Sequence, residues 1–148
     1  MTSDINSVCT YCGVGCDITA VVQNNKIQKI YAQSDGYVSR GKLCIKGRYG
    51  FDFVHSPNRI SKPRIKKEFV KKNFEAMPRE LKARSHTLKH LDEIWYEASY
   101  EFATSLVAWK LSEIKNIYGS DSFCATGGAR TSCESAFMLQ KFTRKTMQ

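Results

Sequence analysis

The sequence predicts a chain of mixed α+β and α/β character: a small Cys-rich β domain over residues 1–60, a basic connection at 61–92, and the start of an α/β domain over 93–148. Three observations predict it. Cysteine and glycine crowd the first third, two β-branched runs flank an Asn-Asn pair there, and a long helix pattern near residue 100 leads into a β-prone run, a Gly-Gly turn and a second helix pattern. With 148 residues and 42% apolar content, the chain can bury a core, since a domain of this size removes roughly two-thirds of its unfolded surface from water.

The runs DITAVV and KIQKIYA, within Asp17 to Gln33, flank Asn24-Asn25. Two asparagines tolerate positive φ, so a hairpin is expected. Ile45 to His55 predicts a short helix that stops before Pro57, weakened by Gly47 and Gly50. From Ser56 to about His90 the periodicity is poor, and Pro57, Pro63 and Pro78 punctuate a stretch expected to hold irregular or short helical pieces.

Ser99 is placed to cap a helix with the apolar face Phe102, Ala103, Leu106, Val107, Leu111, Ile114 and Tyr118, and Gly119 fits the position just past its end. Next, Ser122 to Thr126 (SFCAT) predicts a strand, Gly127-Gly128 a turn, and Thr131 with Glu134 a capping box opening a second helix. That helix pattern, through Phe137, Met138 and Phe142, reaches Gln148 without a cap or a glycine, so the sequence reads as a fragment that stops inside an element.

The formal charge is +9, and the excess is local: Arg59 to Lys89 holds eleven Lys or Arg against three Glu. A basic stretch raises nucleic acid as a partner. No aromatic or Gly-rich binding motif accompanies this one, so a solvated surface insertion is favoured and nucleic acid is not expected. The opening MTSDINSVCT has neither the basic nor the apolar region of an export signal, and no run approaches the ~20 apolar residues of a membrane span. A cytoplasmic location is expected. There, six cysteines point to thiolate metal ligands rather than to disulfides.

Cys9, Cys12, Cys16 and Cys44 read as C-x2-C-x3-C-x27-C. Four sulfur ligands suit either zinc or an iron-sulfur cluster. Zinc sites usually pair their ligands in short knuckles, whereas Cys44 has no close Cys or His partner, the next His being His55. Three clustered ligands and one remote one suit a 4Fe-4S cubane better, because its irons are spread over several ångströms. Gly13 and Gly15 can adopt conformations closed to other residues and let backbone N–H groups approach the inorganic sulfides. The alternative is a zinc-binding basic module that binds nucleic acid. Cys124 and Cys133 lie outside the spacing and read as packed free thiols. His55, His86 and His90 read as surface or structural residues.

The blocks CTYCGVGCDI and RGKLCIKGRYGFDFVHSPNRISKP, with WYEASYEFA and GGARTSCESAFMLQKFTRK further on, resemble the N-terminal cluster domain and following segment of bis-molybdopterin guanine dinucleotide oxidoreductases, most closely formate dehydrogenase catalytic subunits. The resemblance implies a 4Fe-4S cluster on the four cysteines and, in the full-length context, a molybdenum- or tungsten-bearing bis-molybdopterin guanine dinucleotide. It implies formate as substrate, with the rest of the catalytic subunit and a downstream electron-transfer subunit or carrier as partners. Lys46, two residues past Cys44, is implied to lie between cluster and pterin and to relay electrons from the pterin-bound metal. Arg130, at the Gly-rich turn, is implied to contact the cofactor, since a helix N-terminus favours a pyrophosphate. Where the family commonly has Thr-Asn-Glu, this chain has Ser132-Cys133-Glu134, so an Asn-mediated contact does not carry over.

Overall fold

The computed structural model describes residues 2–147. It divides into two units, one from the first 59 residues together with those from Cys124 onward, the other from Ile60–Phe123.

The first unit is built on a three-stranded antiparallel sheet in the order β1-β2-β3, with β1 at Thr2–Val8, β2 at Asp17–Gln23 and β3 at Lys26–Ala32. The Asn-Asn turn forms as expected. Asn24 and Asn25 have φ of 50° and 59°, and Gln23 pairs with Lys26 across them, the mirror-image turn whose twist matches that of the strands. On β2, Ile18 and Ala20 are buried and join Cys9 and Ile30 in a small core, with Tyr11, Val22, Ile27, Leu43 and Phe51 packed around it. β1 was not foreseen: its sequence TSDINSV is polar and every residue is exposed, so no burial pattern marks it. Its pairing to β2 from Thr2↔Gln23 to Val8↔Asp17 makes it an edge strand.

The helix expected at 45–55 forms in two pieces, α1 at Ile45–Tyr49 and a 3-10 turn at Asp52–His55. The break falls at Gly50, where the expectation had placed a weakness. Near the end of the chain, α5 spans Cys133–Lys141 and passes into a wider π-helical turn at Phe142–Thr146 rather than running on as one α-helix. Two expectations are corrected here. The cap is Ser132, whose side chain accepts from Ser135 N, one residue after the Thr131 of the expected capping box. Ser122 to Thr126 is not a strand: Ser120–Ser122 is a 3-10 turn and the residues after it are irregular. A β-prone run needs a partner to hydrogen-bond with, and neither sheet offers one.

In the second unit, β4 (Arg64–Lys66), β6 (Trp95–Glu97) and β5 (Lys89–His90) form an antiparallel sheet in the order β4-β6-β5. Three helices accompany it: α2 at Lys67–Asn73, α3 at Arg79–Arg84 and α4 at Tyr100–Tyr118. Ser99 caps α4 by accepting from Phe102 N, and Gly119 ends it at φ 83°, both as expected. Phe102 and Leu106 are buried, whereas Val107, assigned to the same face, is 56% exposed. The reading of 61–92 as a connection is corrected. Ile65, Val70, Met77 and Leu81 from that stretch share one core with Ala98, Phe102 and Leu106. Lys66, Lys71 and Lys72 between them are exposed and gave the stretch its polar average. Among the described residues there are two small sheets, both antiparallel, and the structure is of mixed α and β character.

Candidate metal centre

The backbone brings three of the four cysteines together as one hairpin connection. β1 and β2 end their pairing at Val8↔Asp17, and Cys9 N–H donates to Cys16 O at 2.9 Å, closing a loop over residues 9–16. Gly15, at φ 69°, takes a left-handed conformation that a side chain would strain.

Cys44 arrives from the far side of β3. Asp17 Oδ2 accepts from Val38 N at 3.0 Å, and Arg40 and Gly41, at φ 47° and 76°, turn the chain back so that Cys44 becomes the N-cap residue of α1. Three contacts seat α1 and its sequel against the loop. Gly47 is buried so closely that a Cβ there would stand 3.2 Å from Cys9 Sγ. The Tyr11 hydroxyl donates to Gly50 O, and the Tyr11 ring meets Phe53 edge-on with centroids 6.4 Å apart.

Cys9 is buried, Cys12 and Cys16 are half-buried, Cys44 is exposed, and all four are free thiols. Burial pushes the Cys16 thiol up, and the neighbouring Cys9, Cys12 and Cys44 sulfurs push it further, against a smaller opposing pull from a backbone hydrogen bond. Ionising all of them together requires a cationic partner, and the donor set fits one made of iron and sulfide. Among the described residues no three His, Cys, Asp or Glu side chains draw together tightly enough to hold a single metal ion.

Lys46 lies half-buried on α1, two residues beyond Cys44. Arg130 is exposed on the bend before α5. Cys124 is exposed. Cys133 is also exposed but is not remote: its Sγ lies 3.5 Å from Gly13 O. Sequence reasoning missed this contact, as it missed the roles of Tyr11 and Gly47. Only Gly47 left a signal, a glycine inside a predicted helix. His55 is structural, its Nε2 accepting from Ile27 N at 2.9 Å.

Residues 3–56 match the family model described as the molybdopterin oxidoreductase Fe4S4 domain. The chain is 32% identical over 146 residues to F420-dependent formate dehydrogenase 2 subunit alpha of Methanococcus maripaludis, covering 97% of this chain and 17% of that protein. It is 35% identical over 139 residues to formate dehydrogenase H of Escherichia coli, covering 93% and 17%. To F420-dependent formate dehydrogenase subunit alpha of Methanocaldococcus jannaschii it is 31% identical over 146 residues, covering 97% and 17%. The chain thus spans 12–17% of the length of these and the other curated relatives it matches. The class is that of the molybdopterin oxidoreductases. Within it, the chain matches an N-terminal segment of a formate dehydrogenase-like catalytic subunit.

Proposed function

We propose that this chain is the iron-sulfur electron-transfer segment of a molybdenum- or tungsten-dependent formate dehydrogenase-like oxidoreductase. Cys9, Cys12, Cys16 and Cys44 are the ligands of a 4Fe-4S cluster. The observation that carries this reading is the short loop closed by Cys9 N–H to Cys16 O, with Cys44 at the N-cap of α1 and Gly47 of α1 packed against Cys9 Sγ, inside the segment that matches an Fe4S4 domain. When bound, such a cluster supplies a one-electron carrier.

The chain's own residues position and tune. The short loop closed by Cys9 and Cys16 holds three thiolates, and the N-cap position of α1 presents the fourth. Lys46, on the first turn after Cys44, contributes a positive charge that offsets the thiolates and offers N–H donors to a pterin. Opposite charges at contact distance attract by about 4 kcal/mol at an effective dielectric near 20, before desolvation is subtracted. Arg130 is the proposed cofactor contact at the turn before α5. Formate is the proposed substrate of the whole enzyme, and a further electron-transfer subunit or carrier its partner. Among the described residues no helix is long and apolar enough to cross a membrane. We place the protein in the cytoplasm, where its thiols stay reduced.

The test is iron and acid-labile sulfide analysis of anaerobically purified protein, paired with Cys44→Ser. Stoichiometric iron and sulfide in the parent and their loss in the variant are expected. Full retention in the variant overturns the ligand set.

A further inference from the structure

We infer that Cys133 is a positioning residue for the ligand loop: its thiol pins the Gly13 carbonyl and thereby sets the orientation of the Gly13–Val14 peptide, which lies between Cys12 and Cys16. The inference rests on the proposed cluster for its functional consequence, though not for its geometry.

Two contacts carry it, from residues 120 positions apart. Cys133 Sγ donates to Gly13 O at 3.5 Å, a separation suited to sulfur, whose S–H is a weak donor. A Cβ built on Gly13 would stand 3.4 Å from the same Sγ and 3.8 Å from Thr131 O. The face of Gly13 where a side chain would grow is therefore the face that Thr131 and Cys133 cover.

The placement of Cys133 is itself fixed. Ser132 Oγ accepts from Ser135 N at 3.2 Å and contacts Ser135 Oγ at 3.1 Å, which makes Cys133 the first residue of α5. Its backbone is thus set by the cap.

A trans peptide is planar, with C=O and N–H pointing to opposite sides. Holding the Gly13 carbonyl toward α5 holds the Val14 N–H away from it. Gly13 lacks the side chain that would otherwise restrict this peptide, so an external tether is what limits its rotation. N–H groups in a ligand loop adjust the electron affinity of a thiolate-bound cluster, so the direction of this one bears on reduction potential without adding a ligand.

The test compares the full 148-residue chain with Cys133→Ala and Cys133→Ser, the latter keeping a donor on a shorter bond. In metal-free protein, amide hydrogen exchange at residues 13–16 should be about two- to tenfold faster in the Ala variant, the range one net hydrogen bond allows, and should return toward the parent in Ser. After anaerobic reconstitution, iron and sulfide per chain should be unchanged in both variants. The midpoint potential should shift in Ala and recover in Ser. Exchange and potential identical to the parent in Cys133→Ala would overturn the inference, as would Ser behaving like Ala. Failure of the parent to take up iron and sulfide would instead remove the functional reading, and the exchange comparison would still decide on Cys133.

Discussion

Tyr11 and Gly50, 39 residues apart, are joined by a hydrogen bond from the Tyr11 hydroxyl to the Gly50 carbonyl, 2.5 Å long. This bond ties the loop that carries Cys9, Cys12 and Cys16 to the segment that follows Cys44. Tyr11→Phe removes it and leaves the ring contact with Phe53. A net loss of about 0.5–1.5 kcal/mol in stability is expected, with faster loss of iron to a chelator and unchanged initial stoichiometry. Gly50→Ala should be worse, since its Cβ would meet both the Tyr11 hydroxyl and the Lys46 carbonyl, and the backbone cannot yield as a side-chain tip can. Equal chelation rates in Tyr11→Phe and parent would show that the bond does not hold the two segments together.

The two kinds of cysteine should separate cleanly. Serine at position 9, 12, 16 or 44 should abolish the cluster or convert it to one with fewer irons, because a cubane needs a ligand at each iron. Cys124→Ala should leave iron and sulfide unchanged, as Cys124 is exposed and lies outside the spacing of the other four. Loss of iron in Cys124→Ala would mean that the ligands are wrongly assigned.

Stability of the second unit turns on Phe102, its one fully buried large side chain. Phe102→Ala should cost about 3–5 kcal/mol, enough to unfold a unit of this size under mild denaturant. Ser99→Ala should cost about 1 kcal/mol through loss of the bond to Phe102 N. Both tryptophans, Trp95 and Trp109, lie in Ile60–Phe123, so intrinsic fluorescence during urea titration reads this unit. Coincident unfolding curves for Phe102→Ala and parent would contradict the assigned core.

Much of this architecture was legible because local chemistry dictated it. Asn24-Asn25, Ser99 and Gly119 each impose a backbone conformation or satisfy a backbone group, so the hairpin and α4 could be read directly. The four thiols of the proposed centre stand out in the sequence by their spacing alone, three in one short segment and one beyond the hairpin. The rest depended on contacts distant in sequence. β1 exists through its pairing with β2 and not through any pattern of its own. Ile65, Val70, Met77 and Leu81 sit in short runs whose lysines mask them, so the basic stretch read as a connection. SFCAT has strand propensity without a strand to pair with. The approach of Cys133 to Gly13 leaves no trace in spacing.

A pH dependence follows from Asp92. Its carboxylate accepts from Ile94 N at 2.7 Å and Trp95 N at 2.8 Å. These bonds, the first the larger influence, hold its pKa below the usual carboxylate value, with Lys67 and Arg64 adding to the effect and burial opposing it. A depressed native pKa means that the folded state binds the proton less tightly than the unfolded state. The stabilisation is therefore fully present above the ordinary aspartate value of about 4 and is lost as pH falls through the lower native one. Asp92→Asn keeps an oxygen acceptor without the charge. It should be less stable than the parent at pH 7, with the gap closing below about pH 4. Thermal unfolding followed by tryptophan fluorescence across this range checks it, and a gap that widened on acidification would reverse the sign.

Lys46 offers the sharpest electrostatic test of the proposed centre, because it can be altered without touching a ligand. It lies half-buried on α1, two residues beyond Cys44. A cation beside a redox group favours the state with the extra electron, so Lys46→Ala should lower the midpoint potential. Opposite unit charges at contact attract by roughly 1 kcal/mol in water and about 4 kcal/mol at an effective dielectric near 20. A half-buried group falls between these limits, and a one-electron couple moves about 59 mV per tenfold change in equilibrium constant. A fall of roughly 40 to 170 mV is therefore expected, the range these constants set. Lys46→Arg retains the charge and should move the potential far less, and iron and sulfide should match the parent in both. Redox titration followed by electron paramagnetic resonance makes the measurement. An unmoved potential in the Ala variant would return Lys46 to the status of an ordinary lysine in a basic chain, and a loss of iron would show that it supports the fold of the site rather than its potential.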